Sequence, residues 1–136
     1  MHDWEHKRDR INAEGGFMSH NGIVVTVIED GYCECQVDMD NNGTNPYSIA
    51  HGGLLFSICD SAAGVAAETQ GYEVVTRACS MHFLRPAKHG IITAKGRIVQ
   101  KSRRIAFCTT ELVDEDGELL ASASFDMYYL DSVSQD

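Results

Sequence analysis

His51-Gly52-Gly53-Leu54-Leu55-Phe56-Ser57-Ile58-Cys59-Asp60-Ser61-Ala62-Ala63-Gly64-Val65-Ala66-Ala67-Glu68 reads as a polar loop end feeding one long helix. On a helical wheel Leu54, Leu55, Ile58, Ala62 and Val65 form an apolar stripe, and the opposite side carries Gly53, Phe56, Ser57, Gly64 and Ala67 around a single charge, Asp60. A helix that is apolar or small nearly all round is covered on every side. A carboxylate in its middle is therefore desolvated, paired or at work, because an isolated buried charge is costly.

Outward from this helix the pattern turns to strands. Upstream, residues 3 to 13 are helix-compatible with Trp4, Arg8 and Ile11 on one side, and Gly15-Gly16 ends the run, so residues 1 to 20 form a short helix and lead-in. Residues 23 to 29 are β-branched, Glu29-Asp30-Gly31 supplies a turn, and Cys33, Cys35, Val37 and Met39 then alternate with Glu34, Gln36 and Asp38. That is a hairpin with one wet face. Residues 40 to 46 are dense in turn formers. Downstream, Gly71 stops the helix and residues 74 to 84 are extended as far as Arg85-Pro86. Further strands follow over 91 to 101, 105 to 113 and 119 to 130, separated by the Ser102-Arg103-Arg104 corner and the turn at 114 to 118. Residues 131 to 136 are polar and expected to fray. Hairpin, helix, then four strands in meander predicts one α+β domain over residues 1 to 136, an antiparallel sheet wrapped around one helix. The side bearing Asp60 faces away from that sheet and needs a cover, for which a second subunit is the economical source.

At 136 residues and 43% apolar, the chain fits a single compact domain, and a formal net charge of -9 argues against nucleic acid as its partner. The distribution of charge is more informative than the sum. No Asp or Glu occurs between Val74 and Thr110, yet eight of the eleven basic residues lie there: Arg77, Arg85, Lys88, Lys95, Arg97, Lys101, Arg103 and Arg104. Either these are solvated strand faces kept soluble by Lys and Arg, or they form a docking strip for a small polyanion. The first residues are charged where a leader needs an apolar core, and no run is long enough to cross a bilayer, which places the chain in the cytoplasm without membrane contact. Five cysteines, mostly at apolar positions, suit reduced buried thiols, and Cys33-x-Cys35 has no second pair at zinc spacing, so no metal is expected.

His51-Gly52-Gly53 stands at the helix N-terminus, where free N–H groups and the helix dipole favour a polarised carbonyl or an oxyanion; the same residues also make a plain tight entry into a helix. Asp60 lies eight residues beyond Gly52, about 12 Å along the axis at 1.5 Å per residue. One helix therefore cannot bring its own Asp60 to its own Gly52, whereas antiparallel helices of two subunits can. Burial raises the pKa of Asp60 toward the range of a general base; a structural interface aspartate is the competing reading. Asn45 and His51 flank the loop as polar side chains that can fix a substrate carbonyl, and Asn45 also suits an Asx turn before Pro46. Thr76 offers a hydroxyl for a water, or is simply a β-branched strand residue. His82 and His89 read as sheet and turn residues. Tyr32, Tyr47, Phe56, Tyr72 and Phe83 border a ligand pocket or fill ordinary core.

Asn45, His51-Gly52-Gly53, Asp60, Phe83-Leu84-Arg85-Pro86-Ala87 and Lys101-Ser102-Arg103-Arg104 together resemble the hotdog-fold acyl-CoA thioesterases of the phenylacetate-pathway (PaaI-like) type, over residues 22 to 129. The resemblance implies a long helix wrapped by an antiparallel sheet, with subunits that dimerise and pair into homotetramers. It implies hydrolysis of an aromatic or short- to medium-chain acyl-CoA to free acid and CoA, with no cofactor beyond the CoA of the substrate. By position, Asp60 would be general base or nucleophile and Gly52 would present the N–H that polarises the thioester carbonyl. Asn45 and His51 would orient substrate or the glycine loop, and Thr76 would hold water. Gly53, Arg85, Pro86, Lys88, Arg103 and Arg104 would bind the substrate, the cations at its phosphates. Ser102 stands where many members have Gly. A non-catalytic acyl-CoA-binding or sensing module would keep the basic residues without needing Asp60. A hotdog dehydratase would need a His and carboxylate pair in its own pattern, and a DNA-binding regulator would need a further domain.

Overall fold

The computed structural model describes residues 2–41 and 49–135; Asn45, Pro46 and Tyr47 fall outside them. Helix α1, Trp4–Ala13, is capped by Asp3, whose carboxylate accepts from the His6 N–H at 2.9 Å. A four-residue helix α2, Phe17–His20, follows, absent from the sequence expectations because one turn has no periodicity to read. Strands β1, Val24–Glu29, and β2, Tyr32–Asp38, make the expected hairpin, with Gly31 at φ 71° in its turn. The long helix α3, Gly52–Glu68, comes next. Strands β3, Tyr72–Phe83; β4, Ile91–Lys101; β5, Ile105–Val113; and β6, Leu119–Val133, complete the chain.

All six strands form one antiparallel sheet in the order β1-β2-β4-β5-β6-β3, so the four later strands are not a simple meander. Helix α3 crosses one face and delivers the chain to the edge opposite β1, where β3 waits for β6; β4 then returns to pair with β2. Helix α3 packs on all six strands. Its close approach is permitted by Gly96 of β4, where an added Cβ would lie 2.7 Å from the backbone carbon of Ala62 and 2.8 Å from its oxygen. The core between them is built mostly of small or branched side chains, Ile58, Cys59, Ala62, Ala63 and Ala66 on the helix and Cys33, Cys35, Ile92, Ala94 and Leu112 on the sheet. Ala67, expected on the Asp60 side, is instead buried, since Tyr129 of β6 reaches up to donate its hydroxyl to the Ala67 carbonyl at 2.9 Å.

The two sheet edges are treated differently. At β1, Asn12 of α1 acts as a surrogate strand residue, its amide donating to the Val25 carbonyl and its side-chain oxygen accepting from the Val25 N–H, both at 2.8 Å. Among the described residues strand β3 pairs with β6 alone, and its exposed residues include Val75 and Phe83. Such an edge is a template for pairing.

The C-terminal tail does not fray as its composition suggests. Strand β6 runs to Val133, and the Ser134 N–H donates to the Gly71 carbonyl at 3.0 Å. Lys7 of α1, 1% exposed, donates to Ser134 Oγ at 2.8 Å, the Gln135 carbonyl at 3.0 Å and Glu68 Oε1 at 3.1 Å. One ammonium thus ties together the first helix, the end of the central helix and the tail, and it answers for its own desolvation with three bonds.

Candidate active site

The first turn of α3 is organised by His51. Its backbone is extended, φ -64° and ψ 135°, and its Nδ1 accepts from the Gly53 N–H at 2.9 Å, which places the ring proton on Nε2. Leu54 and Leu55 both donate to the His51 carbonyl. The Gly52 N–H is the one left without an acceptor among the described residues, at an exposed helix start. The cap leaves little room at position 53, where a Cβ would lie 3.0 Å from His51 Nδ1. The Gly53 amide is spent on His51, so Gly53 offers a substrate no free N–H, though it still lines the cleft at this end of α3. His51 fulfils the alternative of orienting the glycine turn. Asn45 lies outside the described residues.

Asp60 sits half-buried on the face of α3 that the sheet leaves open. Thr76 of β3 donates its hydroxyl to Asp60 Oδ1 at 2.5 Å, and no cation pairs with Asp60 among the described residues. Desolvation raises the pKa of this carboxyl above the ordinary aspartate range, and the Thr76 hydrogen bond offsets part of the rise. The hydroxyl proton of Thr76 goes to the carboxylate, so Thr76 orients Asp60 rather than donating to a water. A carboxylate held by one hydroxyl, with raised proton affinity and no counter-ion, has the makings of a general base or nucleophile.

The basic segment is divided by the fold. Arg85 pairs with Glu118 at 3.1 Å and Arg104 with Asp131 at 2.8 Å, at opposite ends of β6, thirteen residues or about 40 Å apart in an extended strand. Arg85, Pro86 and Lys88 therefore cannot meet the same phosphate as Arg103 and Arg104 within one protomer. The hairpin reversals scatter the others: Arg77 lies 3.6 Å from Asp126, and Arg97 covers the Tyr32 ring at 5.3 Å. Lys101, Arg103 and Arg104 join Tyr72 and Tyr129 around a cleft of about 280 Å³ beside the C-terminal end of α3. At the other end a larger cleft of about 620 Å³ is lined by Phe17, Asn21, His51, Gly53, Leu54, Phe56 and Ser57. Of the aromatic candidates, Phe56 borders this cleft, Phe83 has its ring edge 3.7 Å from where a Cβ on Gly52 would sit, and Tyr72 belongs to the basic cleft. Tyr32 is spent on Glu34, its hydroxyl donating at 2.6 Å, and Tyr47 lies outside the described residues. Phe17, 61% exposed, was not foreseen; its only sequence signal is an aromatic residue directly after Gly15-Gly16. Among the described residues no three His, Cys, Asp or Glu side chains are grouped to hold a metal.

A sheet-wrapped helix with an open amide at its start and a lone carboxylate two turns on defines a class, and the thioesterase superfamily model matches residues 47–121. The chain belongs to that superfamily, in its PaaI-like hotdog branch. It is 28% identical to the acyl-coenzyme A thioesterase PaaI of Escherichia coli over 101 residues, 74% of this chain and 72% of that protein. The structure of E. coli PaaI, from the phenylacetic acid degradation operon, superposes with a TM-score of 0.86 over 96% of this chain and 99% of that one at 22% identity, a likeness of fold. A mutant of the phenylacetic acid degradation protein PaaI from Thermus thermophilus gives 0.78 at 30% identity over 83% and 97%. A Streptococcus mutans protein bound to acetyl-CoA gives 0.74 at 25% identity over 79% and 88%.

Proposed function

We propose that this chain is an acyl-CoA thioesterase whose active site is assembled between two copies. The observation that carries the reading is Asp60: a half-buried carboxylate with raised proton affinity and, among the described residues, no cation partner, about 12 Å from the Gly52 amide of its own helix, which has no acceptor among them either. Two α3 helices running antiparallel across a dimer bring Asp60 of each to the Gly52 amide of the other. The unprotected edge of β3, beside a β1 edge that Asn12 covers, supports such a pairing. The dimers pair into homotetramers, and the enzyme works in the cytoplasm without a cofactor.

In the reaction the thioester carbonyl accepts the partner's Gly52 N–H, at the positive end of a helix dipole, and Asp60 takes a proton from water as its oxygen bonds the acyl carbon. The C–S bond then breaks, and CoA leaves as thiol once the proton returns to sulfur. Direct attack by Asp60, through an acyl anhydride that water opens, uses the same groups. The acetyl-CoA complex of the S. mutans protein and the likeness to the acyl-coenzyme A thioesterase PaaI of E. coli support CoA thioesters as the substrate class. The cleft bounded by Phe17, Leu54 and Phe56 suits an aromatic or short- to medium-chain acyl group.

Free-thiol release over aromatic, short and long acyl-CoAs tests the reading. Wild type should release thiol, and Asp60→Asn should bind CoA esters yet lose at least about a hundredfold in rate, as removal of an acid-base group does. A wild type that binds CoA esters but hydrolyses none of the panel would make the chain a sensor. Single turnover in isotope-labelled water separates the two routes, since label in the enzyme requires the anhydride.

A further inference from the structure

Four residues of the edge strand β3 face helix α3: Thr76, Cys79, Met81 and Phe83, which lie opposite Met127, Phe125, Ala123 and Ala121 of β6. The longer step from Thr76 to Cys79 contains a bulge at Arg77, which keeps both residues on the same face. The first and last of the four mark the two halves of the site. Thr76 donates to Asp60 Oδ1 at 2.5 Å, and the Phe83 ring lies 3.7 Å from where a Cβ on Gly52 would sit. Along the strand they are about 20 Å apart, so Thr76 and Phe83 of one copy cannot touch.

The same edge is apolar where a soluble edge is usually guarded by charge. Tyr72 and Val75 are each 48% exposed, Phe83 56% and Leu84 54%. Resting on the shared-site reading above, we propose that β3 pairs antiparallel with β3 of a second copy about a two-fold axis at Ser80, so that the partner's Phe83 stands beside the Asp60–Thr76 pair and walls the shared site. A two-fold axis perpendicular to the sheet keeps both α3 helices on one face, so residues that face α3 must oppose residues that face α3. Bringing Asp60 level with the partner's Gly52 brings Thr76 level with the partner's Phe83. Reversing the row of four then sets Cys79 opposite the partner's Met81. Ser80, the midpoint, meets its own counterpart on the outer face, where Ala78 meets the partner's His82. Val75 and the partner's Leu84, both exposed and apolar, fall opposite each other at the ends. The neighbouring registers that match the faces shift the strands by two residues, about 7 Å, which takes the carboxylate and the amide out of reach of one thioester.

Disulfide trapping tests this register without turnover. Cys79 and Ser80 are both exposed in the single chain, so substitutions there leave its core untouched. In a Cys79→Ser background, Ser80→Cys should be converted almost wholly to a covalent dimer by oxidised glutathione, because directly opposed residues have Cα atoms about 4.5 or 5.5 Å apart, within disulfide range. Ala78→Cys and His82→Cys should each remain uncross-linked in the same background, whereas the two together should cross-link. In a mixture of isotope-labelled and unlabelled wild-type chains, an intermolecular nuclear Overhauser effect should join the Phe83 ring to the Thr76 methyl group. No covalent dimer from Ser80→Cys, a faster one from Ala78→Cys or His82→Cys alone, or no such Overhauser effect would overturn the proposal. Failure of the enzymatic reading shows separately, as a chain that cross-links in this register while wild type releases no thiol.

Discussion

Asp60 is partly desolvated, and among the described residues the Thr76 hydroxyl is what answers it. Because its folded-state pKa is raised above the unfolded value, the native chain binds more protons than the unfolded one between the two values, and the stability contributed by Asp60 falls as pH rises through that window. Asp60→Asn should therefore melt at a higher temperature than wild type at neutral pH, with the difference shrinking toward the ordinary aspartate range, while hydrolysis is lost. The acidic limb of kcat/KM should lie above the ordinary aspartate pKa for the same reason. Thr76→Val removes the bond that favours the ionised carboxyl, so it should move that limb to higher pH; a limb that stays in place would show that another group titrates. Asp60 was legible in the sequence because one charge interrupts an otherwise apolar wheel. Its partner was not, since Thr76 is sixteen residues away across a turn. Nor was the state of the amides: His-Gly-Gly marks a helix start, but the imidazole rotamer decides that Gly53 is satisfied, while Gly52 has no acceptor among the described residues.

At the scale of elements, the contact between α3 and β4 rests on the absence of one side chain. Gly96→Ala would force a methyl group into the Ala62 backbone, and should cost about 3 kcal/mol in urea denaturation, the upper range for overpacking. Lys7→Ala should cost a similar amount, about 3 kcal/mol, by leaving Glu68, Ser134 and the Gln135 carbonyl without their common donor. It should also raise amide exchange at residues 133 and 134 before the rest of β6. The strands themselves were readable from alternation and turn residues, nearly to their ends. Their neighbours were not: alternation shows which face is buried and says nothing about whether β6 lies beside β3. The tail was misread because its composition is polar, whereas its order comes from a lysine more than a hundred residues earlier.

On the scale of the whole molecule, an acidic chain concentrates its cations in one segment, and the fold parts them to opposite ends of the sheet. The antiparallel helices of the proposed dimer run each protomer's Arg85 end toward the other's Arg103 end, so the single polyanion strip suggested by the sequence becomes a property of two chains. The same holds for the carboxylate and amide. Proline at position 52 removes the amide while suiting the first residue of a helix, and the extended His51 backbone before it is compatible. Gly52→Pro and Asp60→Asn, each nearly inactive alone, can then be unfolded together, refolded and assayed for thiol release. A site shared between protomers predicts recovery of about a quarter of the wild-type rate, since half the dimers are mixed and each mixed dimer has one intact site. A mixture that stays as inactive as its parents would place Asp60 and Gly52 in separate roles and contradict the shared site.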